Sequence, residues 1–149
     1  MGHKPYLHWN RFQRIHHYCP DRREFVSMEQ LSLARQIDIV FKQLREELAH
    51  LKSGIVYVQI RNNLIGKFGI RHDPIESKDG KMKPVGGGLN EAQQISLRNM
   101  AIESLCLKKN WTHGEIQFEF ALKNNQLVTS VQFESNYIQA RHIKVFRSF

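Results

Sequence analysis

The sequence predicts an α+β fold: an antiparallel four-stranded sheet with two main helices packed on one face. Three observations predict it. Two segments space their apolar residues as a helix does, two pairs of segments alternate apolar and polar residues, and an Asn–Asn doublet stands inside each pair. The 149 residues are near the usual size of one domain, so residues 1–149 are read as a single domain.

The first helix is expected from about Met28 to Lys52. Leu31, Ala34, Ile37, Phe41, Leu44, Leu48 and Leu51 recur at spacings of three and four and fall on one stripe. Ser27 is the expected cap, with Gln30 completing a capping box and Gly54 as the stop. The period then changes to two, and Val56, Val58 and Ile60 share one side of a strand. Asn62 and Asn63 tolerate the left-handed angles of a tight hairpin. Gly66, Phe68 and Ile70 are the expected inner face of the returning strand. Residues 73–89 contain Asp73–Pro74, Asp79–Gly80, Lys83–Pro84 and three successive glycines, and read as a flexible Gly/Pro/Lys loop.

The second helix is expected from Asn90, its cap, to about Lys109, with Ala92, Ile95, Met100, Ile102 and Leu105 buried. Ile116, Phe118, Phe120 and Leu122 then alternate with Glu115, Gln117, Glu119 and Ala121. Asn124–Asn125 turns the chain, and Leu127, Thr129, Val131 and Phe133 return on the same face. The order is αββαββ, two helix–β-hairpin units whose sheet keeps one face open.

A net charge of +8 concerns partners more than fold. The excess falls on residues 1–23 and 54–89. Residues 1–26 form a basic aromatic N-terminal arm in which Trp9, Phe12, Tyr18 and Phe25 interleave with Arg11, Arg14, Arg22 and Arg23, and 136–149 form a basic C-terminal segment. Such mixtures stack bases and contact phosphates, or fold back with the rings covering a core. The chain carries no RRM aromatic motif, KH loop or zinc-finger spacing.

Candidate chemistry is sparse. His16, His17 and Cys19 lack the paired spacing of a structural zinc site, with Cys106 and His113 as the suggestive companions, so no metal and no cofactor is expected. Cys19 lies near Arg22 and Arg23 with no base placed beside it, and Cys106 reads as a small core residue. Glu115 and Glu119 read as solvated charges on a polar strand face. Lys81, Lys83, Gly86, Gly87 and Gly88 precede a helix start, a set able to hold an anion or to serve as a connector.

These observations point to a non-catalytic cytoplasmic interaction protein, an adaptor or regulator that binds a protein partner through the open sheet face or the basic arms. The alternative is a nucleic-acid binder using Arg11, Arg14, Arg22, Arg23, Lys81 and Lys83. A third reading places an anion or phosphate ligand at the glycine loop. Two distant cysteines without a signal peptide suit a reducing compartment, and no apolar run approaches the ~20 residues that cross a bilayer, so no membrane partner is expected. The expected state is a monomer or weak homodimer.

Overall fold

The computed structural model describes residues 31–137 and 139. In chain order these form α1 (Leu33–Gln43), a single turn α2 (Arg45–Leu48), β1 (Ser53–Arg61), β2 (Leu64–His72), β3 (Ser77–Lys78), β4 (Lys81–Met82), α3 (Glu91–Ser104) with a 3₁₀ turn (Leu105–Leu107), β5 (His113–Lys123) and β6 (Gln126–Ser135). The fold is α+β, with four antiparallel strands in the order β2-β1-β5-β6.

Ser32 caps α1 by accepting a hydrogen bond from the Arg35 amide at 3.2 Å. The expected caps Ser27 and Gln30 lie outside the described residues. The helix does not run unbroken to Lys52: Leu44 leaves helical angles at φ −91° and ψ 0°. Hydrogen bonds nevertheless continue across the kink, from Leu44 N–H to Val40 at 3.0 Å and from Leu48 N–H to Leu44 at 2.9 Å. Gly54, the expected stop, stands inside β1. The chain has already left the helix by Lys52, whose carbonyl accepts from the Leu122 amide at 2.9 Å just before β1 begins.

Both Asn doublets make the turns read from the sequence. Asn62 and Asn63 have φ of 52° and 61°, and Asn124 and Asn125 have φ of 52° and 65°. Two consecutive positive φ values match the right-handed twist of the flanking strands. The returning strand β2 departs from expectation at Gly66. A bulge between Gln59 and Ile60 lets Ile60 pair with Ile65, so Ile65, Phe68 and Ile70 face inward while Gly66 is exposed. Within the loop after β2, Asp79 and Gly80 close a short hairpin of β3 on β4, where the expectation was a loop without structure.

The second helix begins as expected. The Asn90 side chain accepts from the Gln93 amide at 2.8 Å, and Gln93 returns the bond to the Asn90 amide at 2.9 Å. Its buried face keeps Ile102 and Leu105 of the expected set, with Met100 half-buried against the core, but not Ala92 or Ile95. Leu97, Ala101, Ile102 and Leu105 are buried, Ala92 is exposed and Ile95 is 40% exposed. Positions 97, 101 and 105 fall at intervals of four, one stripe that tertiary packing selected over the scattered apolar residues nearer the start. The α-helix ends at Ser104, so Lys108 and Lys109 lie beyond it rather than on its last turn.

Val56, Val58, Ile60, Ile116, Phe118 and Phe120 supply the sheet's contribution to the core, packed beneath Ile37, Val40 and Phe41 of α1. Phe41 and Phe118 meet at a ring-centroid distance of 6.2 Å. No helix among the described residues is long and apolar enough to cross a membrane. Phe118→Ala is expected to cost about 3–5 kcal/mol, from lost burial plus a cavity. Glu119→Ala, on the opposite face, is expected to stay within about 0.5 kcal/mol. Thermal or denaturant unfolding of the two variants checks the register, and equal losses would refute it.

Candidate functional site

The face of the sheet turned away from the helices is built by cross-strand rows. One row aligns Arg71, Ile55, Glu119 and Ser130; the next aligns Gly69, Tyr57, Gln117 and Gln132; the third aligns Lys67, Gln59, Glu115 and Glu134. Tyr57 lies opposite Gly69, whose lack of a side chain leaves room for the phenol ring. The Arg71 guanidinium sits 4.6 Å over that ring and reaches Glu115 at 3.4 Å. Stacking on an aromatic face while bonding a carboxylate uses the planar guanidinium in both of its modes.

Glu115 is the centre of this network. It is only 8% exposed although it stands on the outer face. Its carboxylate accepts from Gln117 Nε2 at 2.6 Å, Gln59 Nε2 at 3.1 Å and Arg71 at 3.4 Å. Burial pushes the Glu115 carboxyl up, but the bonds from Gln117 and Gln59 and the positive charge of Arg71 outweigh it. The carboxyl therefore lies below its ordinary value. Glu119, by contrast, is the solvated charge the sequence suggested, accepting from Ser130 Oγ at 3.3 Å. Beside the network an open groove of about 830 Å³ is lined by Gln59, Arg61, Lys67, His113, Glu115 and Asn136 among others.

The residues singled out from sequence are placed unevenly. Arg11, Arg14, Arg22 and Arg23 lie outside the described residues, as do His16, His17 and Cys19. Lys81 and Lys83 share one face of the β3–β4 hairpin with Lys78 and Glu76, and Lys83 Nζ lies 3.8 Å from Glu76. Gly86 is open to solvent, Gly87 lies against the Lys52 side chain, and Gly88 packs on the Ala49 carbonyl. The amide of Gln93 in the first turn of α3 is engaged by the Asn90 cap. Among the described residues no group of three or more His, Cys, Asp or Glu is placed to hold a metal ion.

Sequence reading missed the burial of Glu115. Its polar alternation is the pattern of an ordinary wet face, and the three donors that enclose it come from three places in the chain, two of them on other strands. The chain matches no protein-family model, no curated protein and no solved structure.

Two outcomes are expected from this geometry. A group whose folded value lies below its unfolded one stabilises the fold above the ordinary glutamate range and loses that contribution as pH falls through the folded value. The advantage of the wild type over Glu115→Gln should thus be full at neutral pH and shrink across that acidic window; melting curves at a series of pH values check it. Gly88→Ala places a Cβ 1.9 Å from the Ala49 carbonyl oxygen and should cost about 1–3 kcal/mol or more. Gly66→Ala meets no atom within 4 Å, so its melting temperature should not fall comparably.

Proposed function

We propose that this chain is a non-catalytic interaction protein, an adaptor or regulator of the cytoplasm, that binds a protein partner through the outer face of its sheet. In this reading two helix–hairpin units form a scaffold that spends its helices on one face and keeps the other for recognition. The observation that carries it is the ordering of charge on that face. Lys67 and Arg71 line the β2 side, Glu115, Glu119 and Glu134 line the β5–β6 side together with Gln117 and Gln132, and Tyr57 on β1 lies between.

A surface with separated basic and acidic columns suits a partner with the reverse order, because complementary potentials steer encounter and fix register. A nucleic-acid backbone suits it poorly, since phosphates crossing the face meet three carboxylates. Glu115 supports a binding role over an acid–base one. Its carboxyl is held ionised below the ordinary value, far from the neutral range in which a general base works best. Tyr57 and Arg71 are residue types that dominate binding energy at interfaces, and their mutual stacking fixes both before a partner arrives.

The test uses Lys67→Glu combined with Glu134→Lys, which reverses one charge in each column and leaves the Glu115 network in place. A partner recovered with the wild-type chain should be lost with this variant, while the melting temperature is kept. It should be retained when Lys78, Lys81 and Lys83 are reversed to Glu. The opposite pattern would move the interface to the hairpin. A sequence-selective complex with DNA or RNA in the ~nanomolar range, surviving moderate salt, would replace the protein reading by the nucleic-acid one.

A further inference from the structure

The sheet has two edges, and they are finished differently. β2 carries the bulge, Gly66 and Gly69, and the charges of Lys67 and Arg71, features that discourage a foreign strand from pairing along it. β6 carries none of these. It holds no Pro, Gly, Lys or Arg, its register against β5 runs without interruption from Gln126 to Ser135, and Glu134 is its one charge.

The backbone groups of β6 divide between its two sides. Asn136, one residue beyond the strand, donates its N–H to the His113 carbonyl of β5 at 3.0 Å, whereas Leu122 of β5 turns its own N–H the other way, to the Lys52 carbonyl on the β1 side at 2.9 Å. Successive residues of an antiparallel ladder alternate in this respect. The even-numbered residues of β6 therefore bond to β5, and Leu127, Thr129, Val131 and Phe133 turn their N–H and C=O groups outward. Among the described residues no strand lies on that side. The side chains of Leu127, Val131 and Phe133 pack against the core and stay only half-buried, and Val128 on the other face is 49% exposed.

Such an edge accepts an extended strand, and the strand that matches it is β6 itself. Laid antiparallel on a second copy about Ser130, Leu127 stands opposite Phe133, Thr129 opposite Val131, Val128 opposite Gln132 and Gln126 opposite Glu134. Every outward N–H and C=O from Leu127 to Phe133 then has a partner. Apolar and β-branched side chains meet on the helix side, and no like charges meet on the other. Lys123 shares a cross-strand row with Gln126, so its ammonium approaches Glu134 of the second copy. Centring the pair on Val131 instead sets Val128 against Glu134 and Leu127 against Ser135, and the match is lost.

We propose that β6 pairs antiparallel with β6 of a second copy about Ser130, joining the two sheets into one continuous sheet. The helices of both copies then lie on the same side. This homodimer is a property of the edge and does not depend on the protein-binding reading of the outer face.

The test is sedimentation velocity of the full chain over a concentration series, which should show a monomer–dimer equilibrium. Val128→Lys combined with Gln132→Lys, at two exposed positions of the outer face, sets lysine against lysine across the two-fold axis and should weaken the dimer about tenfold or more. Val128→Glu combined with Gln132→Glu should weaken it similarly. An equal mixture of the two variants should restore the dimer, because each lysine then faces a glutamate. Amide hydrogen exchange of the unaltered chain gives a second readout: the outward amides of Thr129 and Val131 should be protected in the dimer and exchange freely on dilution. The proposal is overturned by a chain that stays monomeric at every concentration, by Thr129 and Val131 amides protected equally in the monomer, which would mean that the chain covers its own edge, or by a dimer that both folded variants leave intact. Failure of the folded variants to rescue each other would overturn it too.

Discussion

The antiparallel ladder between β1 and β5 joins two hairpins, neither of which could stay folded in water alone. It runs from Ser53 opposite Ala121 to Arg61 opposite His113, and it places Val56 beside Phe118 and Val58 beside Ile116 at the centre of the sheet. Everything else follows from which side of this ladder a residue faces. The even-numbered residues of both strands require an apolar cover, which α1 and α3 supply. The odd-numbered ones are left to water and to each other, so long polar side chains reach across strands and build the network around Glu115. A slip of one residue would exchange the two sets and put Glu115 and Glu119 under the helices.

A single buried polar side chain ties the helical layer to this ladder. Gln36 is wholly buried; it donates to the Leu31 and Asn63 carbonyls and accepts from the Ile65 amide at 2.8 Å. Two backbone groups of the first hairpin, at Asn63 and Ile65, and one just before α1, at Leu31, are thereby satisfied by one residue of α1. A buried amide that completes its bonds specifies position, because any sliding of the helix leaves several polar groups unpaired at once. The bulge that turns Ile65 inward is what brings its amide within reach. The α1 N-terminus is fixed beside the first turn for the same reason.

What could be read from the chain beforehand divides along the range of the interactions responsible. The Asn doublets were legible because left-handed backbone angles are a local preference of asparagine. The alternation in β5 was legible because a strand facing a core repeats every two residues. The face of α3 was legible only in its second half, at Ile102 and Leu105. Its apolar residues are few and uneven, and its rotation is set by how Leu97 and Ala101 meet the sheet. The bulge at Gln59 and Ile60 left no sign stronger than a glycine. The candidate site on the sheet face was hidden for the same physical reason: Glu115 is buried by Arg71 and Gln59, distant in sequence.

The first residues of β5 connect the two faces of the sheet. Gly114 pairs with Ile60 on one side and Ser135 on the other, and its bare α-carbon is the floor on which the Trp111 ring rests. A side chain there would strike both that ring and the Glu134 carbonyl, at 2.5 and 2.3 Å. The next residue is Glu115, on the opposite face. Trp111, just before β5, and Glu115, on it, therefore lie on opposite faces of the sheet, with a glycine between them whose replacement by any side chain would strike ring and backbone alike.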